Sequence, residues 1–253
     1  MKSHHASANT ATNSNPSLAV VIDPGHGGMD NGATRGEMKE SQICLHISQF
    51  LAELLRKNPD FKVSLTRETD EQVSLSDRVE LSRRIKADVF VSIHANASAD
   101  PKAFGMELYF QNQLPPDEES LFLANAENQN LLNVKNSKHE KLSSQNDIDN
   151  VVEDLKRNQK ISESFQLTEN IFKSLSRTSF GKVKNHAVRQ APFYVLSQNN
   201  IPAVLIEVGY ITSDSDKTKL ASADHQKKIA NQIYEGLLKH KASLDQKKLE
   251  RSL

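Results

Sequence analysis

Three stretches of this chain are apolar almost without interruption: residues 18–23 (LAVVID), 89–96 (VFVSIHAN) and 203–210 (AVLIEVGY). Each has the length of a strand, and the second is rich in the β-branched residues of a buried one. The first runs directly into Pro-Gly-His-Gly-Gly, which reads as a strand followed by a glycine-rich turn. KVSLTR (62–67) and FYVL (193–196) read as further strands, and GMELYF (105–110), which alternates more, as an edge strand. Between them the apolar spacing turns helical. Ile43, Ile47, Leu51, Leu54 and Leu55 mark one helix; Leu75, Val79, Leu81 and Ile85 a second; Ile161, Phe165, Leu167, Ile171, Phe172 and Leu175 a third. A last helix is expected from about 223 to 238. Strands alternating with helices predict an α/β fold: a single twisted, mostly parallel sheet of about six strands, with helices on both faces and a helical insertion.

The insertion is where composition matters. Hydrophobic residues make up 37% of the chain, which is low for a compact globule, and the deficit is concentrated between 111 and about 160. That stretch is dominated by Asn, Gln, Ser, Asp, Glu and Lys, with apolar spots at Leu121–Leu123, at Leu131 and Leu132, and at 148–155. It reads as a segment lying on a catalytic domain of residues 18–242. Residues 1–17 read as a disordered leader and 243–253 as a charged tail.

Several functions are disfavoured at once. Lys and Arg total 32, Asp and Glu also 32, and no basic stripe breaks that balance, so nucleic acid is a poor partner. No run approaches the roughly 20 apolar residues of a membrane-spanning helix. The leader has no apolar core of a signal peptide, so a chain exported to the periplasm would have its signal outside this sequence. The one cysteine, Cys44, permits no internal disulfide and sits in QICLHI, the setting of a small core residue. No heptad or apolar patch points beyond a monomer. There is no G-x-S-x-G elbow, no P-loop Lys-Ser/Thr after PGHGG, no G-x-G-x-x-G after the first strand and no H-E-x-x-H.

Two of the nine histidines stand apart. His26 follows the first strand inside the glycine turn, and His94 ends the third strand run in SIHAN. Ligands of open α/β sheets gather beyond the carboxyl ends of strands, where both are placed. Glu207 lies in an otherwise apolar strand, where an ionised carboxylate costs several kcal/mol unless it is paired or binds a metal. Glu40 opens the first helix, close enough after the glycine turn to approach His26; a helix-dipole role is its simpler reading. Two His and one carboxylate with an open fourth position form a common catalytic zinc arrangement, and a further free carboxylate would serve as base.

The segments VVIDPGHGGMDNGA, KESQICL, LTRETDEQVSLSDRVELSRRIKADVFVSIHANA and QAPFYVLSQNNIPAVLIEVGYITS together resemble the type-3 family of zinc-dependent N-acetylmuramoyl-L-alanine amidases, in order and spacing, over most of residues 18–238. The resemblance implies zinc held by His26, Glu40 and His94, with Glu37 as a competitor for the Glu40 role, and Glu207 as catalytic glutamate. It implies hydrolysis of the amide between N-acetylmuramic acid and L-alanine in peptidoglycan. Asn96 and Arg189 lie near these motifs and are candidates for substrate contact. The insertion resembles that of the Gram-negative cell-separation subgroup, in which an inserted helix covers the site until an activator protein moves it. Glu127-Asn128 matches that subgroup's Glu-Asn pair, so Glu127 is the expected inhibitory residue and Glu153 the second candidate. Leu131 and Leu132 depart from the subgroup, which often has an acidic residue there. A zinc carboxypeptidase and a non-catalytic peptidoglycan-binding module are the competing readings.

Overall fold

A computed structural model describes residues 16–100, 102–129, 147–176 and 187–252. The first strand, β1 (Leu18–Pro24), is followed by a small hairpin of β2 (Thr34–Arg35) and β3 (Met38–Lys39) and by helix α1 (Glu40–Arg56). Then come β4 (Phe61–Leu65), α2 (Leu75–Arg84), β5 (Val89–Asn96) and β6 (Glu107–Phe110). The insertion contributes α3 (Glu118–Asn128) and the start of α4 (Asp147–Leu175). The chain ends with β7 (Val188–Gln190), α5 (Tyr194–Ser197), β8 (Ala203–Tyr210), α6 (Asp214–Leu220) and α7 (Ala223–Glu250).

Six strands form one sheet in the order β4-β1-β5-β8-β6-β7. All neighbouring pairs are parallel except β6 with β8. Alternation along the strands sends side chains to two apolar cores. Val20, Ile22, Val91 and Ile206 meet α1, α4 and α7 on one face through Ile47, Leu51, Ile171 and Ile233. Val21, Phe90, Tyr109 and Leu205 meet Val79 of α2, Ala124 of α3 and Val195 of α5 on the other. The expected α/β architecture with helices on both faces is therefore the observed one. Cys44 is fully buried in α1, as its setting predicts.

The structure corrects four details. The run FYVL is not a strand: Tyr194–Ser197 is a short helix, and the neighbouring strand is Val188–Gln190. That strand covers the outer side of β6, so GMELYF is interior and Glu107 is buried. The helix expected from 161 is the second half of α4, which passes through residue 160 without a break. The charged tail is helical to Glu250, because α7 continues through it with Lys241–Asp245 and Gln246–Glu250 pairs one turn apart. Leu131, Leu132, His139, His186 and the leader through residue 15 lie outside the described residues. Among the described residues no helix is long and apolar enough to cross a membrane.

One buried group sets an acid limit to this fold. His240 of α7 is buried, and neither ring nitrogen has a hydrogen-bond partner among the described residues. Burial pushes its pKa down to about 4, and Lys247 adds to the effect. The unfolded chain, with an ordinary histidine, takes up this proton near pH 6.5, the folded one only near 4. Stability is thus full above about 6.5 and lost as pH falls towards 4. His240→Leu is expected to flatten that loss, gaining about 2 kcal/mol over wild type at pH 5 relative to pH 7.5. Denaturant unfolding at the two pH values checks it; an unchanged pH slope would refute it.

Candidate active site

The carboxyl ends of β1 and β5 open onto one cleft of about 400 Å³, whose lining includes His26, Asp30, His94, Glu127, Tyr194 and, from the middle of β8, Leu205. The PGHGG turn enters it in a conformation that the sequence makes affordable. Gly25 leaves room for the imidazole of His94: a Cβ there would lie 2.5 Å from that ring. A Cβ on Gly32 would meet Glu40 Oε2 at 2.5 Å, and the residue takes a positive φ of 63°. His26 itself has φ 57°, an unusual state for a non-glycine residue that points to a constrained functional position.

Two buried arginines hold the turn by its carbonyls. Arg67 donates from Nε to Pro24 O (3.0 Å) and from Nη2 to Gly25 O (2.6 Å) and Ser41 O (2.8 Å). Arg78 donates from Nη1 to Pro24 O (2.6 Å) and from Nη2 to His26 O (2.8 Å). Arg78 is neutralised by Asp23, 2.7 Å away, whose carboxylate also accepts from Thr66 and Ser92 hydroxyls at 2.7 Å each. Burial opposes ionisation of Asp23, but Arg78 and those hydroxyls outweigh it and leave its pKa lowered.

His26, Glu40 and His94 converge on a point. Glu40 Oε1 lies 3.1 Å from His26 Nε2 and 3.0 Å from His94 Nδ1, and the three ligand atoms all fall within 4.8 Å of one another. Glu40 is anchored by backbone N–H groups, Ala95 N donating to Oε1 (3.0 Å) and Ala33 N to Oε2 (2.8 Å). Asp30 holds the far side of His26, its Oδ2 2.9 Å from Nδ1, while its Oδ1 accepts from Gly32 N at 3.0 Å. When the ring is neutral, that contact favours the tautomer that turns an unprotonated Nε2 inward, the usual arrangement behind a metal-binding histidine. His26 Nε2 is buried and has no hydrogen-bond partner among the described residues. Burial disfavours a charged His26, but Glu40 and Asp30 outweigh it and its pKa is raised well above the ordinary value. Glu40 is correspondingly lowered: burial raises it, and the two histidines reverse that. An orphaned nitrogen in a nest of buried carboxylate, with two nitrogen donors and one oxygen, fits a divalent ion of the zinc type.

Glu207 stands opposite His94 in the β5–β8 register and opposite Glu107 in the β8–β6 register. It is buried, and its Oε2 has no hydrogen-bond partner among the described residues. Burial and then the charges of Glu40, Glu127 and Glu107 push its pKa well above the usual carboxylate range. From the insertion, α3 brings Glu127 Oε2 to 3.4 Å from His26 Nε2 and 3.7 Å from His94 Nδ1. Asn128 fixes that helix end, donating to Pro192 O (3.0 Å) and accepting from Tyr194 N (2.8 Å).

Of the other sequence candidates, Glu37 is exposed in the β2–β3 turn and Glu153 is exposed on α4, both outside the cluster. Asn96 is buried and its Oδ1 accepts from Ala97 N. Arg189 pairs with carboxylates of β6 and α3. Sequence reasoning missed Asp23, Asp30, Arg67, Arg78 and Glu107. Only Glu107 carried a signal there: like Glu207, it is a carboxylate inside an apolar strand.

Residues 20–239 match the family described as N-acetylmuramoyl-L-alanine amidase. The chain belongs to this amidase family. It is 33% identical over 225 residues to the N-acetylmuramoyl-L-alanine amidase AmiA of Escherichia coli, covering 87% of this chain and 75% of AmiA. It is 32% identical over 226 residues to the probable amidase AmiB of Haemophilus influenzae, covering 87% of this chain but only 51% of AmiB, about half that protein's length. Among solved structures, the amidase AmiC2 of Nostoc punctiforme superposes with a TM-score of 0.63 at 30% identity, covering 88% of this chain and 96% of that one. The matched range spans the positions of His26, Glu40, His94, Glu127 and Glu207.

Proposed function

We propose that this amidase-family chain hydrolyses the amide joining N-acetylmuramic acid to L-alanine in peptidoglycan, as a zinc enzyme of the periplasm acting in wall remodelling and daughter-cell separation. The observation that carries it is the convergence of His26, Glu40 and His94 beside the buried carboxylate of Glu207, whose Oε2 has no hydrogen-bond partner among the described residues. The family membership supplies the substrate class, and a relative named a probable cell wall amidase, 30% identical over 242 residues, supports an exported setting.

His26 Nε2, His94 Nδ1 and Glu40 would hold zinc, which when bound supplies Lewis acidity toward a carbonyl oxygen and toward water. The chain's residues do the rest. Glu207 accepts a proton from the attacking water, whose oxygen forms a bond to the lactyl carbonyl carbon. As the carbon–nitrogen bond breaks, Glu207 returns that proton to the leaving nitrogen, giving a lactyl carboxyl group and a free L-alanine amine. Asp30 and the two arginines keep His26 at its angle throughout.

Residues 111–160 act in this reading as a regulatory insertion within a catalytic domain of 18–242. Glu127, 3.4 Å from His26 Nε2, occupies the position that water and substrate need, and an activator protein withdraws it. The protein as purified is expected to carry about one zinc per chain and to show little hydrolysis of purified peptidoglycan. His94→Ala is expected to lose the metal, and Glu127→Ala to keep it and gain activity, read as new lactyl carboxyl ends. Zinc binding without any such ends in Glu127→Ala would sink the substrate assignment; full zinc retention in His94→Ala would sink the site.

A further inference from the structure

The helix that brings Glu127 to the metal site also carries carboxylates at its other end, and these meet a single guanidinium. Arg189 Nη2 lies 2.8 Å from Glu119 Oε2, its Nε 3.9 Å from Asp117 and its Nη1 3.4 Å from Glu107 Oε1. The three partners differ in kind. Glu107 is a sheet residue, buried and held by the hydroxyls of Tyr109 (2.8 Å) and Tyr210 (3.0 Å). Asp117 and Glu119 belong to the insertion and are half-exposed, at 51% and 59%, whereas the Arg189 side chain is only 19% exposed. The arginine is built into the sheet; two of its carboxylates are laid over it from outside.

Arg189 sits opposite Tyr109 in the β6–β7 register, and Glu107 sits opposite Glu207 in the β6–β8 register. Alternation puts Glu107 and Tyr109 on one face, so the guanidinium is on the same face of the sheet as the base, reached across Glu107. The distance along the cover is also defined. Glu119 and Glu127 are eight residues apart on α3, which at 1.5 Å per residue is about 12 Å. That is the length of three to four residues of extended chain. Withdrawal of α3 would uncover both a metal site and, about 12 Å away on the same face, a partly buried guanidinium with one carboxylate left to it.

Resting on the amidase reading above, we propose that Arg189 is a substrate-binding residue: it receives a carboxylate of the stem peptide about three to four residues from the cleaved amide. In the covered state α3 imitates the bound stem, with Glu127 at the reacting end and Glu119 at the anchored end. A planar guanidinium favours carboxylate over carboxamide there, because it can donate two parallel charge-assisted hydrogen bonds to the two oxygens of an anion, whereas a carboxamide offers one oxygen and no charge.

The test uses the full, zinc-loaded chain carrying Glu119→Gln and Glu127→Ala, which removes the nearest insertion carboxylate from each of the two sites. Calorimetry compares a muramoyl tetrapeptide with free carboxylates at residues three and four against the same molecule with both amidated. The free acid is expected to bind about tenfold more tightly or better. Adding Arg189→Gln should erase that preference, and Arg189→Lys, which keeps charge but not the planar fork, should reduce it. Equal or undetectable binding of the two ligands, or a preference that survives Arg189→Gln, overturns the proposal. Cleavage is followed in the same samples. Preference without cleavage would uphold the anchor and defeat the amidase reading; cleavage without preference would do the reverse.

Discussion

Glu207→Gln is expected to retain zinc at the wild-type level and to lose about 10²–10⁴-fold in turnover, measured in the Glu127→Ala background where the basal rate is high enough to fall. The expectation follows from what surrounds the side chain. Glu207 is buried on β8, pointing to the site from the position opposite His94, and its Oε2 has no partner among the described residues. A buried carboxylate kept solely for structure would be paired, since an unpaired one costs several kcal/mol. Burial and the neighbouring carboxylates raise its pKa, moving it from a weak base toward one that can hold a proton during the reaction. Glutamine fills the same volume and can accept or donate a hydrogen bond, but it cannot carry a proton between water and the leaving amine. Turnover within a factor of a few of the parent would reassign proton transfer to another group. Loss of zinc together with activity would instead make Glu207 part of the metal site.

How far this site was legible depended on whether a residue's chemistry broke its local pattern. His26 in a glycine turn, His94 at a strand end and Glu207 inside AVLIEVGY each violate what their surroundings call for, and each lies in the cluster or directly beside it. Glu40 was separable from Glu37 only through the family resemblance, because both are acidic residues near the start of α1; the fold separates them by turning one inward and leaving the other in a hairpin. Glu107 breaks its pattern in the same way as Glu207, but the alternation of GMELYF is that of an edge strand, where a carboxylate is expected to face solvent. The strand that covers it, Val188–Gln190, has three half-buried residues and no apolar signal. FYVL misled for the opposite reason: a four-residue apolar run fits either state, and its helix is fixed from outside, by Asn128 accepting from Tyr194 N. The arginines were illegible in principle, since backbone carbonyls, their main acceptors, leave no mark in a sequence.

Those arginines carry the second large expectation. Asp23→Ala is expected to cost about 3–5 kcal/mol, because it leaves Arg78 charged and buried with its one carboxylate removed. For a domain of this size that is a fall in melting temperature of about 10 °C. The acid limb of stability should change with it. The folded pKa of Asp23 lies below its ordinary 3.8, so this carboxylate's contribution is present above about 3.8 and is lost as pH falls through the lower folded value. The variant should therefore show a shallower decline in that window than wild type. Asp23→Leu combined with Arg78→Met separates stability from function. Replacing both charges with apolar volume should recover much of the lost stability, yet Pro24 O and His26 O lose the donors that Arg78 gave them. Arg67 still holds Pro24 O and Gly25 O, so the turn should survive while the angle of His26 loosens. A double variant that is stable but binds zinc more weakly would show that this ion pair is retained to aim a ligand. Zinc affinity equal to wild type, measured by chelator competition, would show that Arg67 and Asp30 aim His26 without it.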